Sequence, residues 1–263
     1  MTDDLSYLVD ILRLPLELSL GVQFVGWAIA ATCQTARHFD LFGSVTFFAV
    51  VISLPNPSAI PSLMVIAWCC RLGAFLSLRS LRHGEDPRFV GFLHDPVKQA
   101  AVWLLQGIWV VICLLPVILC AHRDASTSIS TSTSTSASTT VPIALFLAGF
   151  ALEVTADAQK WAFKSDPANT KQQKNTIRTG VWSSVKYPNY AGEIIVWLAI
   201  ALAATADSPN TATELALSFL SPAFVAFLLL CVSGIPPQEA AAARRRKPGD
   251  DNDTRARLVP HVY

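Results

Sequence analysis

The chain has 263 residues, of which 52% are hydrophobic and only 15% charged, against about 25% charged in soluble proteins, and its mean hydropathy is +0.43. A water-facing surface needs more polar side chains than this, which excludes a soluble globular enzyme. Twenty Lys and Arg against 19 Asp and Glu leave a formal charge of +1, so the molecule has no overall basic field for nucleic acid to follow.

Met1 to Asp10 holds Asp3, Asp4 and Asp10 but no basic residue. It lacks the positive region of a cleavable signal or transit peptide, and the first apolar segment is expected to stay in the mature chain. Apolar runs long enough, or nearly so, to cross about 30 Å of hydrocarbon fall near 15–36, 40–54, 61–81, 99–121, 141–163, 190–206 and 213–235. The second and sixth are short, which brackets the count at six to eight with seven preferred. The predicted fold is all-α, a polytopic membrane helix bundle formed as a single membrane domain over residues 1–263.

Charge supports that count. On one side of seven spans fall Arg37, then Arg79, Arg82, Arg88 and Lys98, then the six cations from Lys160 to Lys186, then the six from Arg244 to Arg257. These are 17 of the 20 Lys and Arg. The opposite side holds Arg13 and Arg123, and Arg71 lies within a span. The positive-inside rule then puts the N-terminus outside or lumenal and the C-terminus in the cytosol. Residues 125–140, ASTSISTSTSTSASTT, cannot bury enough apolar surface to fold and read as a low-complexity loop on the sparsely charged side. That loop suits an O-glycosylated segment or a simple linker. Residues 238–263 read as a basic cytosolic tail, whose Asn252-Asp253-Thr254 would stay unglycosylated there. The Arg244 to Lys247 cluster suits a topology signal or an anionic-lipid contact.

Six cysteines lie mostly in or beside apolar runs with no metal-binding spacing, so they read as small buried residues. The five histidines likewise form no metal set, and no GxGxxG after a strand, Walker loop or GxSxG turn occurs.

Ionisable groups within the spans are more informative, because each costs roughly 2.5 to 3.5 kcal/mol to insert. Glu153, Asp157, Lys160 and Lys164 recur at spacings that stack them on one face of the fifth span. An ion-pair ladder at a helix end would explain them, and so would a face for a polar ligand carrying phosphates. Arg71 lies too deep to snorkel and calls for an acidic partner or an anionic ligand. At Gly180 to Trp197, GVWSSVKYPNYAGEIIVW, Pro188 suits a helix start and places Asn189, Tyr190 and Glu193 on the opening turns. An interfacial aromatic belt explains Trp182, Tyr187 and Trp197, but not Asn189 and Glu193 together. A helix start also offers N–H groups that can bind phosphate.

These motifs resemble, in order, those of the steroid 5-alpha-reductase family, specifically its broad membrane branch. The similarity runs from about Ala67 to Pro237 through WCCRLGAFLSLRSLRHGEDPRF, QGIWVVICLLPV, LEVTADAQKWAFKSDPAN, TGVWSSVKYPNYAGEIIVW and SPAFVAFLLLCVSGIP, with FDLFG at Phe39 to Gly43 as a weaker match. The resemblance implies a seven-span oxidoreductase that takes NADPH from the cytosol and reduces a carbon–carbon double bond conjugated to a carbonyl in a lipid-like, steroid-like substrate. Carried over by position, Asp157, Lys160 and Lys164 would hold the dinucleotide, and Asn189 and Glu193 its nicotinamide and ribose region, with Lys186 and Tyr190 in the same cofactor-binding set.

Three departures stand out, one of them the stretch between Pro237 and the terminal LVPHVY, which is Ala-rich and Arg-rich and lacks the family's usual tyrosine. The family's Gln-Glu pair and Tyr are not in register, with Trp68 at the Tyr position, which leaves Asp40 as the catalytic candidate or as a helix cap. The branch's SRHPNY is replaced by Val185-Lys186-Tyr187-Pro188-Asn189-Tyr190. The alternatives are an S-adenosylmethionine-dependent lipid or prenyl-cysteine methyltransferase, which shares the architecture, and a catalytically inactive membrane protein. Asp157 with Lys160 and Lys164 argues for a phosphorylated dinucleotide over the methyl donor. The expected partners are a lipid-like substrate and the membrane, with no nucleic acid, and the Ser/Thr tract favours a eukaryotic source and hence the endoplasmic reticulum.

Overall fold

A computed structural model describes residues 2–57, 59–85, 89–126, 137–171, 177–206 and 211–243. Among these the chain is all-α, with no strand. The helices are α1 (Thr2–Cys33), α2 (Phe39–Ser53), α3 (Ile60–His83), α4 (Pro96–Ser126), α5 (Ala137–Ser165), α6 (Pro167–Lys171), α7 (Pro188–Thr205), α8 (Ala212–Phe227) and α9 (Ile235–Ala243). Each predicted apolar run falls on helix, although α1 begins well before the first run and the seventh run covers α8, a π-helical turn and the start of α9. Among the described residues six segments are long and apolar enough to cross a membrane: Leu5–Cys33, Ile60–Arg82, Pro96–Asp124, Ser138–Ser165, Pro188–Thr205 and Ala212–Ala243. α2 has 15 residues, about 22 Å at the helical rise, and is shorter than the hydrocarbon. Large apolar side chains such as Phe24, Leu81, Leu104, Leu105 and Leu147 are exposed, as a lipid-facing surface requires.

Local chemistry explains the boundaries. Asp95 Oδ1 accepts the Lys98 N–H at 3.1 Å ahead of α4, and Lys98 Nζ lies 3.0 Å from Asp95 Oδ2. These contacts, the backbone N–H foremost, hold the Asp95 carboxyl below its usual range. Thr211 and Glu214 form a reciprocal cap on α8: Thr211 Oγ1 accepts the Glu214 N–H at 3.1 Å, and Glu214 Oε2 accepts the Thr211 N–H at 2.8 Å. α3 ends where Gly84 takes φ +79°.

The chain divides into two compact units, Met1–Ser136 with Ile200–Ser221, and Ala137–Ala199 with Pro222–Tyr263. In the first, α1 packs on α2 and α4, and α2 packs on α3 and α4. Its interior mixes aromatic contacts, with Phe47 edge-on to Trp68 and Trp109 at 5.2 and 5.0 Å, and hydrogen bonds that buried polar groups need in hydrocarbon. Ser19 Oγ donates to the Gly107 carbonyl at 2.8 Å, Gln23 Nε2 donates to Thr46 Oγ1 at 2.7 Å, and Thr46 Oγ1 donates to the Phe42 carbonyl at 2.6 Å.

In the second unit, α5 and α7 meet at glycines. A Cβ on Gly192 would lie 2.7 Å from the Gly149 carbonyl oxygen and 2.8 Å from the Glu153 nitrogen, so the backbones approach as only small residues permit. α8 continues into a π-helical turn, Leu228–Val232, where the wider spiral re-aims the side chains that follow. Gly234 then packs on Leu229, with a Cβ there falling 2.7 Å from the Leu229 Cα. Pro236 and Pro237 occupy the first turn of α9, where absent N–H groups do no harm.

Three expectations are corrected. Residues 125–126 and 137–140 of the Ser/Thr segment belong to α4 and α5, while 127–136 lie outside the described residues. Residues 238–243 of the expected tail are the body of α9, while 244–263 lie outside the described residues. Trp182, Tyr187 and Trp197 are not an interfacial belt: they are 3%, 8% and 0% exposed, because each packs into the helical core.

Candidate functional site

Most of the residues singled out in the sequence belong to the second unit. The α5 face begins with buried Glu153 and Asp157, passes through half-buried Lys160 and ends at exposed Lys164. The segment before α7 is seated on this helix. Gly180 takes φ +60°, in the left-handed region that favours glycine, and it lies against the amide of the Gln159 side chain. Gln159 Oε1 accepts the Val181 N–H at 3.0 Å, and Trp182 Nε1 donates to the Ala156 carbonyl at 2.9 Å. Ala156, Ile177, Trp182 and Tyr187 form one buried apolar cluster, with Tyr190 and Ile235 against it.

Around this cluster the cations are closely matched. Lys160 Nζ lies 5.2 Å from the Trp182 ring centroid, a cation–π distance, and donates to Gln238 Oε1 at 3.0 Å. Lys186 Nζ lies 2.5 Å from Glu239 Oε1, with side chains only 9% and 14% exposed. Tyr187 donates its phenolic O–H to the same oxygen at 2.6 Å and stacks on Tyr190, the centroids 5.7 Å apart. Gln238 Nε2 in turn donates to the Tyr190 hydroxyl. A buried ion pair holds only when the remaining hydrogen-bonding capacity is also met, and Tyr187 contributes to that here.

On α7, Asn189 and Glu193 lie one turn apart and are half-buried. The Asn189 Oδ1 atom is buried, and among the described residues no group donates to it. An unfilled acceptor of this kind costs about 1 to 3 kcal/mol, so a donor from a ligand would be favoured there.

The structure therefore brings together Lys160, Lys186 and Tyr190 through the Gln238–Glu239 pair, with Asp157 on the Lys160 face and Asn189 and Glu193 on the adjoining helix. It does not bring Asp40 into this network. Asp40 lies in the first unit, on the first turn of α2, with its carboxylate 3.1 Å from Arg79 Nη2. It does not cap α2, whose N-cap is His38. Arg71, expected to face an acid or an anion, lies 5.5 Å from the Phe75 ring centroid. Asp86 and Arg88 lie outside the described residues. Among the described residues no group of three His, Cys, Asp or Glu side chains could hold a metal, and the six cysteines are free, three of them exposed rather than buried.

Gln238 and Glu239 were missed because they follow the last apolar run and read as the start of a polar tail. A local signal was present. Gly234, then Pro236-Pro237, marks a break followed by a helix start, which makes the next polar pair a helix-borne one.

Residues 26–254 match the model of a family described as "Protein of unknown function (DUF1295)". No curated protein and no solved structure matches the chain. The family match spans the α5 face, the start of α7 and the α9 pair together, and the chain belongs to the DUF1295 family.

Proposed function

We propose that this protein is an integral membrane oxidoreductase of the steroid 5-alpha-reductase type, which uses NADPH to reduce a carbon–carbon double bond conjugated to a carbonyl in a lipid-like substrate. The observation that carries the reading is the buried, donor-less Asn189 Oδ1 on the opening turn of α7. A nicotinamide carboxamide or a ribose hydroxyl supplies the hydrogen it lacks. The order of the sequence motifs supports the same cofactor.

The residues present fit the group. Lys160 and Lys164, on the face that ends exposed, are suited to phosphate as point charges. Asn189 and Glu193 are suited to orient the nicotinamide and ribose. Lys186 is largely matched by Glu239, so its part is to shape the site rather than to neutralise phosphate. Bound NADPH supplies the hydride chemistry. The buried Trp182, Tyr187 and Trp197 give this unit an apolar interior, and polar contacts made against it are stronger than in water. Asp40, whose carboxylate is paired with Arg79 in the first unit, has no part in this reading. The endoplasmic reticulum is the proposed membrane.

Thermal stability of the detergent-purified protein with NADPH, NADH or S-adenosylmethionine tests this reading. At 100 times its Kd a ligand adds about 2.7 kcal/mol. Stabilisation by NADPH, lost in Asn189→Ala and Glu193→Ala, is the expected result. Stabilisation by S-adenosylmethionine instead, or by none of the three, overturns it.

A further inference from the structure

We infer that Glu239, with its neighbour Gln238, is a positioning residue: α9 reaches back to fix Tyr187 and the segment leading into α7 in the form the nucleotide site needs, an inference that rests on the cofactor reading above. Two adjacent side chains of one helix engage four residues. Gln238 takes Lys160 and Tyr190, and Glu239 takes Lys186 and Tyr187. Three of those four, Lys160, Lys186 and Tyr190, belong to the set expected to meet the cofactor, and the fourth immediately precedes Pro188, the first residue of α7.

The geometry favours positioning over direct contact with a ligand. A single oxygen, Glu239 Oε1, receives both the Lys186 ammonium and the Tyr187 phenol, at 2.5 and 2.6 Å. A carboxylate held this way, beside a nearly buried cation, is not available to a nucleotide that is itself anionic. Its effect passes instead through Tyr187, whose ring stacks on Tyr190 and whose backbone carbonyl accepts the Ala191 N–H at 3.2 Å in the first turn of α7. Anchoring Tyr187 thus orients the turn that presents Asn189. The π-helical turn and Gly234 have a reason in this scheme. They interrupt the α-helical run between α8 and α9, and the residues that follow, 238 and 239, reach α5 and the segment before α7.

The test is a double-mutant cycle on the full-length protein in detergent, with NADPH affinity read by titration and amide hydrogen exchange followed over residues 177–191. The variants are Tyr187→Phe, which removes one hydroxyl and leaves the Lys186–Glu239 pair intact, Glu239→Leu, and the two combined. Lys186→Met/Glu239→Leu guards against misfolding of the single Glu239 variant. Positioning predicts that Tyr187→Phe weakens NADPH binding about tenfold and speeds exchange over the segment without nucleotide. It also predicts that the combined variant is no weaker than Glu239→Leu alone, since Glu239→Leu already removes the Tyr187 hydrogen bond. NADPH binding within twofold of wild type in Tyr187→Phe, or unchanged exchange, overturns the inference. A wild-type protein that does not bind NADPH overturns the functional reading instead, and the exchange arm then still decides whether Glu239 orders the segment.

Discussion

Gly192→Ala tests whether the close approach of α5 and α7 holds the second unit together. The added methyl would sit 2.7 Å from the Gly149 carbonyl oxygen and 2.8 Å from the Glu153 nitrogen, where ordinary contact begins at 3.4 Å. Both obstacles are backbone atoms, so no rotamer change relieves the overlap and the two helices must move apart by several tenths of an ångström. Overpacking of this kind costs about 1 to 3 kcal/mol. At about 2 to 4 °C per kcal/mol for a chain near this size, the apparent Tm should fall by several degrees in a heating series analysed by size-exclusion chromatography. Gly21→Ala in α1 is the control, because a Cβ there meets nothing within 4 Å and helix propensity favours alanine by up to about 1 kcal/mol. Gly149→Ala/Gly192→Ala should cost less than the two singles together, since both methyls enter the same gap. A Gly192→Ala protein as stable as wild type, beside a Gly21→Ala protein that behaves as expected, would refute the close-packed interface.

Two more outcomes follow from the charged groups. Lys186→Met or Glu239→Leu alone leaves a nearly buried charge without its counter-ion and should cost about 3 to 5 kcal/mol, whereas the double variant should recover most of that loss; equal Tm values for the singles and the double would contradict the burial. Asp95, held below the usual carboxylate range by the Lys98 N–H and ammonium, contributes stability that is present above its unfolded value of about 3.9 and is lost as pH falls through the lower folded value. The Tm deficit of Asp95→Ala should therefore be largest near neutrality and shrink in acid, and a deficit that grows on acidification would reverse the sign of the argument.

The sites of these tests differ in how far the sequence alone discloses them. Wherever the relevant physics is summed over contiguous residues, the sequence is sufficient. Hydropathy over some 20 residues locates each apolar helix, and the spacing of Glu153, Asp157, Lys160 and Lys164 puts them on one face of α5. Pro188 marks the start of α7. The second run is short because α2 has only 15 residues, Phe39 to Ser53 inclusive, a matter of counting.

What hydropathy cannot supply is the rotation of one helix against another, since every orientation of an apolar cylinder in hydrocarbon has a similar transfer energy. The aromatic residues of the α7 segment show the difference: Trp182 and Tyr187 have the composition of an interfacial belt, and only packing against α5 and Ile235 makes them core. Asp40 and Arg79 are 39 residues apart, and nothing local to either predicts their pairing. Gln238 and Glu239 follow an apolar run in a segment that turns basic, so composition assigns them to a tail. Their place at the site follows a π-helical turn, Leu228–Val232, and the close approach of Gly234 to Leu229. The sequence by itself determined the helices and the faces that carry charge; the tertiary structure alone decided which faces meet, because helix–helix contact is governed by the shape of side chains distant in the chain.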